Sequence, residues 1–467
     1  MTKRIASARW TVLDLDVVLI AIVRCTTEAR DVFAFLSALP PLLLVPSLAA
    51  LRQLLTSDTS RHHWPQPCIS TDWRESAALL AAAMPTFHSV SLHCGLPNAG
   101  QHSGWRTVAP PISDFTQPYC AFVARWATKV ERLVADFNSR SEYDDEYFRL
   151  LRMCTNLRRV VVFGSPCMLE AVTTETHCVS ELTILSNRDW NDSVVRNLAR
   201  WLASGHAVYL RLNSWDATSD AGMARALAMS PTLSHLVLEG ATAIIAGLVA
   251  NGLVLRYITH LDLTPGTHVE ALLPLIDLNQ LTTLKLRARA GERRDVSYLL
   301  PALSRMTALN ELELVNVSIN EMPAIPPPLA VRIQAITLDR VTFSMESRRV
   351  LLHWAMSSSR LQHLSWPNST SAEQGFNGEY LCTCILAGVH TIDFDWMFSA
   401  RDAAVLATAI RGATAPRSAT LHIHQSAFRR PSVEYLRRAL ATCFNVRVVI
   451  AESGDMLQSP VAALPDP

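Results

Sequence analysis

Cysteine and histidine side chains come close together in the sequence at two places, and both pairs are of residue types that ligate metals. Cys382 and Cys384 form a C-x-C pair, and His422 and His424 alternate with apolar residues on a predicted strand. A C-x-C pair can bind a metal or form a strained disulfide, but neither pair has further ligands at a suitable spacing. We therefore interpret the thiols as free and the histidines as solvated, and the sequence predicts no metal site.

Motifs that would indicate an enzyme are absent from the sequence. It contains no G-x-x-x-x-G-K-[ST] loop, no G-x-G-x-x-G turn, no H-E-x-x-H helix and no G-x-S-x-G elbow. A catalytic triad assembled from distant residues would leave no such trace, but nothing in the sequence suggests one. The sequence predicts a protein without enzymatic activity and without a cofactor.

Ionisable residues alternate with leucines in the middle of the chain. On a strand the two alternating sets point to opposite faces of the sheet, so the residues between the leucines form a candidate surface for a protein partner. Asp262, Lys285 and Glu313 could form a ladder of opposite charges across neighbouring strands. The alternative is a solvated face whose charges only satisfy one another. The candidate partner-binding residues are Tyr209, Arg211, His235, His260, Asp262, Lys285, Arg287, Glu311, Glu313, Asp393, Asp395 and His422.

A repeated element must position these residues, and the sequence contains one. Copies of the pattern L-x-x-L-x-L, with isoleucine first in one of them, begin at Leu233, Ile258, Leu281 and Leu309. Weaker copies recur over the rest of the chain, mostly at the spacing of roughly 20 to 29 residues that is typical of leucine-rich repeats. One repeat cannot bury its apolar face alone, so stacked repeats share one core. The sequence therefore predicts an α/β fold, a leucine-rich-repeat solenoid with one parallel strand and one outer helix per repeat.

Helical patterns follow several of the predicted strands, which places the helices in an outer layer. One begins near Asp192, another after a Ser344 cap and a third after Ser399. The segment Met322 to Pro328 carries four prolines and is expected to be an extended connection in place of a helix. We assign residues 61–452 to the solenoid and residues 453–467 to a frayed tail.

Composition and charge exclude several classes of partner. The formal net charge of the 467-residue chain is +1, which indicates neither a nucleic-acid partner nor an anionic membrane surface. The apolar runs near the N-terminus are interrupted by charges and prolines, so we expect no membrane span. The ten cysteines lack paired C-x-x-C spacing and are expected to be free thiols of a cytoplasmic or nuclear protein.

Residues 1–60 stand apart from the repeats and are predicted to form a short all-helical unit. Between positions 12 and 25 an apolar stripe at Leu15, Val18, Leu19 and Ile22 has helical spacing. Two further short helices are expected, one before Pro40 and one after Pro46. About forty-five residues cannot make a robust core alone, so this unit should pack on a neighbour or bind a partner.

This segment resembles an F-box, whose opening typically reads L-P-x-E-V-L-x-x-I-L and is followed by two more short helices. Leu13, Asp16, Val17, Val18 and Ile22 fall on matching positions, with Asp16 in place of the glutamate and Asp14 in place of the proline. The resemblance implies that the unit docks a Skp-type adaptor of a cullin ubiquitin ligase. The implied adaptor-binding residues are Leu13, Leu15, Val18 and Ile22.

An F-box-like segment followed by leucine-rich repeats is similar to a class of ubiquitin-ligase substrate receptors. The resemblance implies that the concave face of the repeats holds a protein substrate, while the ligase supplies the chemistry. The alternative is a leucine-rich-repeat scaffold or sensor whose N-terminal helices only cap the open end of the array. The sequence does not identify the substrate.

Overall fold

The chain forms two compact units, Met1–Ser219 and Asp220–Pro467, in a computed structural model. The structure describes residues 12–56, 64–69, 77–94, 117–136, 144–163, 166–187, 192–215, 220–266, 268–320, 332–366, 383–385, 387–394, 404, 408, 419–424, 438, 441 and 446–451. The fold is mixed α/β, with parallel strands in both units and helices between most of them.

The first unit begins with three helices, as expected from the spacing of its apolar residues. Helices α1, α2 and α3 are Val12–Cys25, Ala29–Ala38 and Pro46–Leu54, with a 3-10 turn at Pro41–Leu43. The apolar stripe predicted on α1 is divided by the structure, since Leu19 is buried whereas Leu15, Val18 and Ile22 are exposed. Val23, rather than Ile22, is the second residue of α1 that packs inward.

Polar contacts connect the C-terminal end of α1 to the segments that precede the first two strands of the same unit. The Arg24 side chain donates from Nε to the carbonyl oxygen of Thr86 (3.1 Å) and from Nη2 to that of Pro85 (2.7 Å). Trp64 donates from Nε1 to the carbonyl oxygen of Thr26 (2.9 Å), and its ring lies against that of Phe87. Helix α3 packs on helix α4, Ala77–Ala83, which precedes the second strand. The three helices and the first strands therefore share one core.

The rest of the first unit alternates strands and helices. Each strand pairs in parallel with the next strand along the chain, from β1 to β6. The strands β1 to β6 are Cys68–Ile69, Val90–Cys94, Val130–Asp136, Arg159–Phe163, Glu181–Asn187 and Tyr209–Trp215. The helices α4 to α8 are Ala77–Ala83, Gln117–Trp126, Asp144–Met153, Pro166–Val172 and Asp192–Ala203.

The second unit continues the same alternation with nine parallel strands in one sheet, ordered β7-β8-β9-β11-β13-β15-β16-β17-β18. These strands are His235–Glu239, His260–Leu263, Thr283–Arg287, Glu311–Val315, Ala335–Asp339, His363–Trp366, Thr391–Phe394, Ala419–His424 and Val446–Ala451. The helices α9 to α13 are Asp220–Met229, Thr242–Ala250, Val269–Leu272, Leu299–Leu303 and Met345–Met356. None of the described helices combines the length and the apolar character needed to cross a bilayer.

The strand register of the second unit places one apolar residue of each strand in a single row. Alternate residues of a strand face opposite sides of the sheet, so a leucine at the same position of every strand generates such a row. The residues that oppose one another in order are Leu236, Leu261, Leu284, Leu312, Ile336, Leu364, Ile392, Leu421 and Val448. Those from Leu236 to Ile392 are at most 4% exposed, so leucines distant in sequence share one interior.

A second, three-stranded sheet in this unit was not expected. Strands β10, β12 and β14 are Arg294–Asp295, Val317–Ile319 and Thr342–Phe343, and they pair in parallel with one another. The chain turns from β11 into β12 at Asn316, which adopts a positive φ of 56° and donates from its side-chain nitrogen to the carbonyl oxygen of Ala288 (3.2 Å). Asparagine tolerates this conformation better than most residues.

Of the predicted helix signals, the Ser344 cap is present, since its hydroxyl oxygen accepts from the Ser347 backbone nitrogen at 3.1 Å. A helix also begins at Asp192, as predicted. The proline-rich segment Met322 to Pro328, Ser399 and the C-terminal tail lie outside the described residues.

Candidate functional site

Five of the predicted partner-binding residues lie together on neighbouring strands of the second unit. We call Asp262, Lys285, Arg287, Glu311 and Glu313 the ion-pair network. They occupy β8, β9 and β11 at positions that alternate with the buried leucines, so all five project from the same face of the sheet. The register sets Asp262 opposite Lys285, and Lys285 opposite Glu313.

Lys285 bridges two carboxylates of the next strand. Its Nζ lies 2.7 Å from Glu311 Oε1 and 3.1 Å from Glu313 Oε2. The glutamates are two residues apart on β11, and alternation places both on the face to which Lys285 points. The contact between Lys285 and Glu313 is the one that the sequence pattern suggested.

Arg287 links the strands on either side of its own. Its Nη1 lies 3.1 Å from Asp262 Oδ2, and its Nε and Nη2 lie 2.8 Å and 3.0 Å from the two carboxylate oxygens of Glu313. The second arrangement is the bidentate geometry that a planar guanidinium favours. Asp262 therefore pairs diagonally with Arg287, whereas the sequence suggested Lys285, because the longer guanidinium side chain reaches it from two residues further along β9.

The carboxylates of this network experience different electrostatic environments. Burial alone would raise the pKa of Glu313, but hydrogen bonds and ion pairs from Arg287 and Lys285 hold that pKa below its ordinary value. Asp262, whose side chain is only 13% exposed, has its pKa raised to about 6 by burial, with Arg287 opposing the rise and Glu239 and Glu313 adding to it. The two cations, Lys285 and Arg287, are thus shared among three carboxylates, so they neutralise only part of the negative charge.

His235 and His260 form a stacked pair beside the network. They occupy equivalent positions on β7 and β8, and their ring centroids lie 3.8 Å apart with an interplanar angle of 14°. Each Nδ1 lies 2.8 Å from the hydroxyl oxygen of the preceding residue, Ser234 or Thr259. Burial lowers the pKa of His235, and burial together with His235 and Lys285 lowers the pKa of His260 to about 4. Both imidazoles are therefore neutral at neutral pH.

The stacking of these histidines was missed by sequence reasoning, although a signal for it was present. A histidine stands directly before the second leucine of two successive repeats, at positions 235 and 260. Equal positions on adjacent parallel strands are neighbours about 4.8 Å apart, which is close enough for flat rings to stack.

The remaining predicted partner-binding residues lie elsewhere. Tyr209 and Arg211 belong to the first unit, where they oppose Glu181 and Thr183. Asp393 lies on β16 with its Oδ2 3.6 Å from His363 Nε2. Asp395 lies outside the described residues, and of His422 only the backbone, in β17, is described.

The predicted adaptor-binding residues share one helix of the first unit. Leu15, Val18 and Ile22 of α1 are all exposed, and for Leu13 only the helical backbone is described. Leu42 and Leu43, in the turn that follows α2, are exposed as well. Exposed large apolar side chains grouped on one element mark a surface that gains free energy when it is covered.

The cysteines and histidines considered above as metal ligands form no cluster of ligands in the described part of the chain. Cys384 is buried, which raises the pKa of its thiol to about 12, and Cys382 lies outside the described residues. Across those residues no three histidine, cysteine or acidic side chains are grouped so that they could hold a metal ion.

Charge, hydrogen-bonding groups and imidazole edges are what the described strand face offers to a ligand. In comparisons with known proteins, no protein-family model matches the chain, and no curated protein matches it either.

Proposed function

We propose that the chain is a leucine-rich-repeat recognition protein of the substrate-receptor type, with an F-box-like N-terminal unit and a strand face that binds a protein target. The observation that carries the proposal is the register of the second unit, in which leucines roughly 26 residues apart form one buried row. That arrangement is the one that repeat stacking requires, and it leaves the alternate residues as a continuous surface.

A Skp-type adaptor of a cullin ubiquitin ligase is the proposed partner of α1. Three observations support it: three short helices in the expected order, inward packing through Leu19 and Val23, and an outer face of Leu15, Val18 and Ile22. A helix that only capped the array would gain nothing from this outer apolar face, because it contributes nothing to the shared core. The ligase would act in the cytoplasm or nucleus, and the protein itself would carry no catalytic group.

The adaptor is tested with a matched pair of substitutions on the same helix. Val18→Asp with Ile22→Asp places charges on the proposed docking face, and capture by an immobilised Skp-type adaptor should fall at least about tenfold. Val17→Asp is the control: Val17 matches an F-box position and is 68% exposed, but it is not one of the implied adaptor-binding residues and lies about 100° around the helix from Val18. Capture of the control should match the wild type.

The second candidate function is a scaffold in which the three helices serve only as a cap. The contacts of Arg24 with Pro85 and Thr86, and of Trp64 with Thr26, favour it. Under this alternative, the substitutions at Val18 and Ile22 leave adaptor capture unchanged, whereas a chain starting near Arg61 loses thermal stability. Equal adaptor capture by the wild type and the Val18 and Ile22 variant would therefore remove the ligase from the proposal and leave the cap.

A further inference from the structure

Negative charge predominates on the strand face of the second unit. From β7 to β16 the described strands of the main sheet carry six carboxylates against two lysine or arginine side chains, Lys285 and Arg287. Arg340, directly after β13, adds a third cation, whose Nε lies 3.8 Å from Asp339 Oδ1. The carboxylates are Glu239, Asp262, Glu311, Glu313, Asp339 and Asp393. The chain as a whole has a formal charge of +1, so this imbalance is a local property of the face.

The two cations are already engaged with more than one carboxylate each. Lys285 contacts Glu311 and Glu313, and Arg287 contacts Asp262 and Glu313. Glu313 takes a contact from both cations, whereas the ion-pair contact of Asp262 in the network is with Arg287. The charge of Lys285 also favours the ionised Asp262, and the charges of Glu239 and Glu313 oppose it. The network therefore orders its side chains without neutralising them.

The stacked histidines of this face, His235 and His260, do not offset this excess at neutral pH. His235 and His260 stack at 3.8 Å, and two protonated rings at that separation would repel each other. Burial lowers the pKa of both imidazoles, whereas the pKa of Asp262 is raised, first by burial and then by Glu239 and Glu313. A charge held at a free-energy cost in the isolated protein would be relieved by a cation from outside.

We propose that the strand face of the second unit, from Glu239 on β7 to Asp393 on β16, binds a cationic segment of a protein partner, rich in lysine or arginine. The inference rests on the proposed function, which makes this face the recognition surface, and it names the chemistry of the partner. Charge complementarity carries it. The pre-formed network holds the carboxylates of β8 and β11 in place, so a partner need not order them, and adjacent strands present carboxylates about 4.8 Å apart.

The test uses the full chain and a fluorescein-labelled peptide of alternating arginine and serine, followed by fluorescence anisotropy at low salt and neutral pH. A peptide of alternating glutamate and serine is the matched probe. The arginine peptide should bind at least about tenfold more tightly than the glutamate peptide, and its affinity should fall as salt is added.

Substitutions locate the binding site. Glu239→Gln with Asp262→Asn removes two neighbouring carboxylates of this face, and the affinity for the arginine peptide should fall about tenfold. Glu346→Gln removes an exposed carboxylate from helix α13 and should leave the affinity unchanged. Glu239→Gln alone is the fallback if melting shows that the double variant does not fold, and it should weaken binding in the same direction.

Equal affinity for the two peptides, or unchanged affinity in the substituted chain, would overturn the cationic partner. Neither result would affect the adaptor proposal, which is measured on α1 with a different probe. Conversely, loss of the adaptor proposal with selective arginine binding intact would leave this face as a recognition surface for a cationic segment.

Discussion

The strand faces of the two units are built on the same backbone plan but carry different surfaces. In the first unit Leu133, Val160, Leu182 and Leu210 oppose one another as the leucines of the second unit do. Its described outward positions nevertheless include the apolar Val134 and Val161 and an exposed ion pair, Arg159 with Glu181 at 3.1 Å, whose side chains are 43% and 39% exposed.

The two units therefore share the row of apolar residues and differ in their outward residues, so these two sets of positions vary independently. In the second unit the outward positions carry a network in which Lys285 and Arg287 make four contacts with carboxylates. The side chains of Asp262 and Glu313 are only 13% and 16% exposed. Such a network is screened less by solvent than the pair in the first unit. The buried rows of the two units should therefore contribute similarly to stability, whereas the outward face of the second unit should contribute more than that of the first.

The largest expected effect tests the part that the two units share. Leu284→Ala in the second unit and Leu182→Ala in the first both remove a leucine that is 0% exposed, and each should lower the free energy of unfolding by about 2 to 5 kcal/mol. Urea titration, with circular dichroism as the signal, measures both. A loss below about 1 kcal/mol for either variant would show that its row is not a continuous core.

A smaller effect distinguishes the ion pairs on the outward faces of the two units. Glu313→Gln leaves Lys285 and Arg287 half-buried with fewer partners and should cost roughly 2 kcal/mol of unfolding free energy. Glu181→Gln breaks the exposed pair of the first unit and should cost at most about 1 kcal/mol. Equal losses in urea titrations of the two variants would contradict the contrast between the faces.

The dependence of stability on pH sharpens the same contrast. The pKa of Asp262 is raised to about 6, above that of an unfolded aspartate near 4, so the folded protein binds the proton more tightly and loses stability as pH rises between those values. His260, with its pKa lowered to about 4, gives the opposite slope up to about pH 6.5. Asp262→Asn removes only the first contribution, and we therefore expect the stability of this variant relative to the wild type to increase by roughly 2 kcal/mol from pH 4 to 6. Melting curves of both proteins across this range are the measurement; a constant difference would show that Asp262 titrates normally.

The smallest effect concerns the outward position of the first unit that corresponds to Glu313. Val161 directly follows the second apolar anchor of its strand, as Glu313 follows Leu312. Val161→Thr keeps the branched shape and should change the unfolding free energy by no more than about 0.5 kcal/mol. A larger loss, measured as above, would reveal that Val161 contributes to the core.

The parallel order of the strands was predictable because leucines at equal spacing must meet to be buried, and the pattern from Leu233 to Leu314 states that spacing directly. The position of Asp262 beside Lys285 followed from alternation alone. Its ion pair with Arg287 did not, because that contact depends on the length of a side chain two residues beyond the directly opposing position.

Other features could not be predicted from the sequence, each for a different physical reason. The three-stranded sheet of β10, β12 and β14 arises where the chain turns at Asn316, and short extended segments lack the length for a periodic pattern. On α1 the sequence shows apolar residues around much of the helix. Which of them are buried depends on the side of the helix that packs against the rest of the first unit, which is the side of Leu19 and Val23.

That fastening has a mechanical consequence for anything that attaches to α1. The last turn of the helix is held by Arg24 and by the Trp64 contact at Thr26, while Leu15, Val18 and Ile22 remain accessible along its length. A protein that binds those side chains would be connected through Arg24 to the turn before β2, and through Thr26 to Trp64, which precedes β1. Helix α1 would then fix the orientation of the first unit relative to the bound protein.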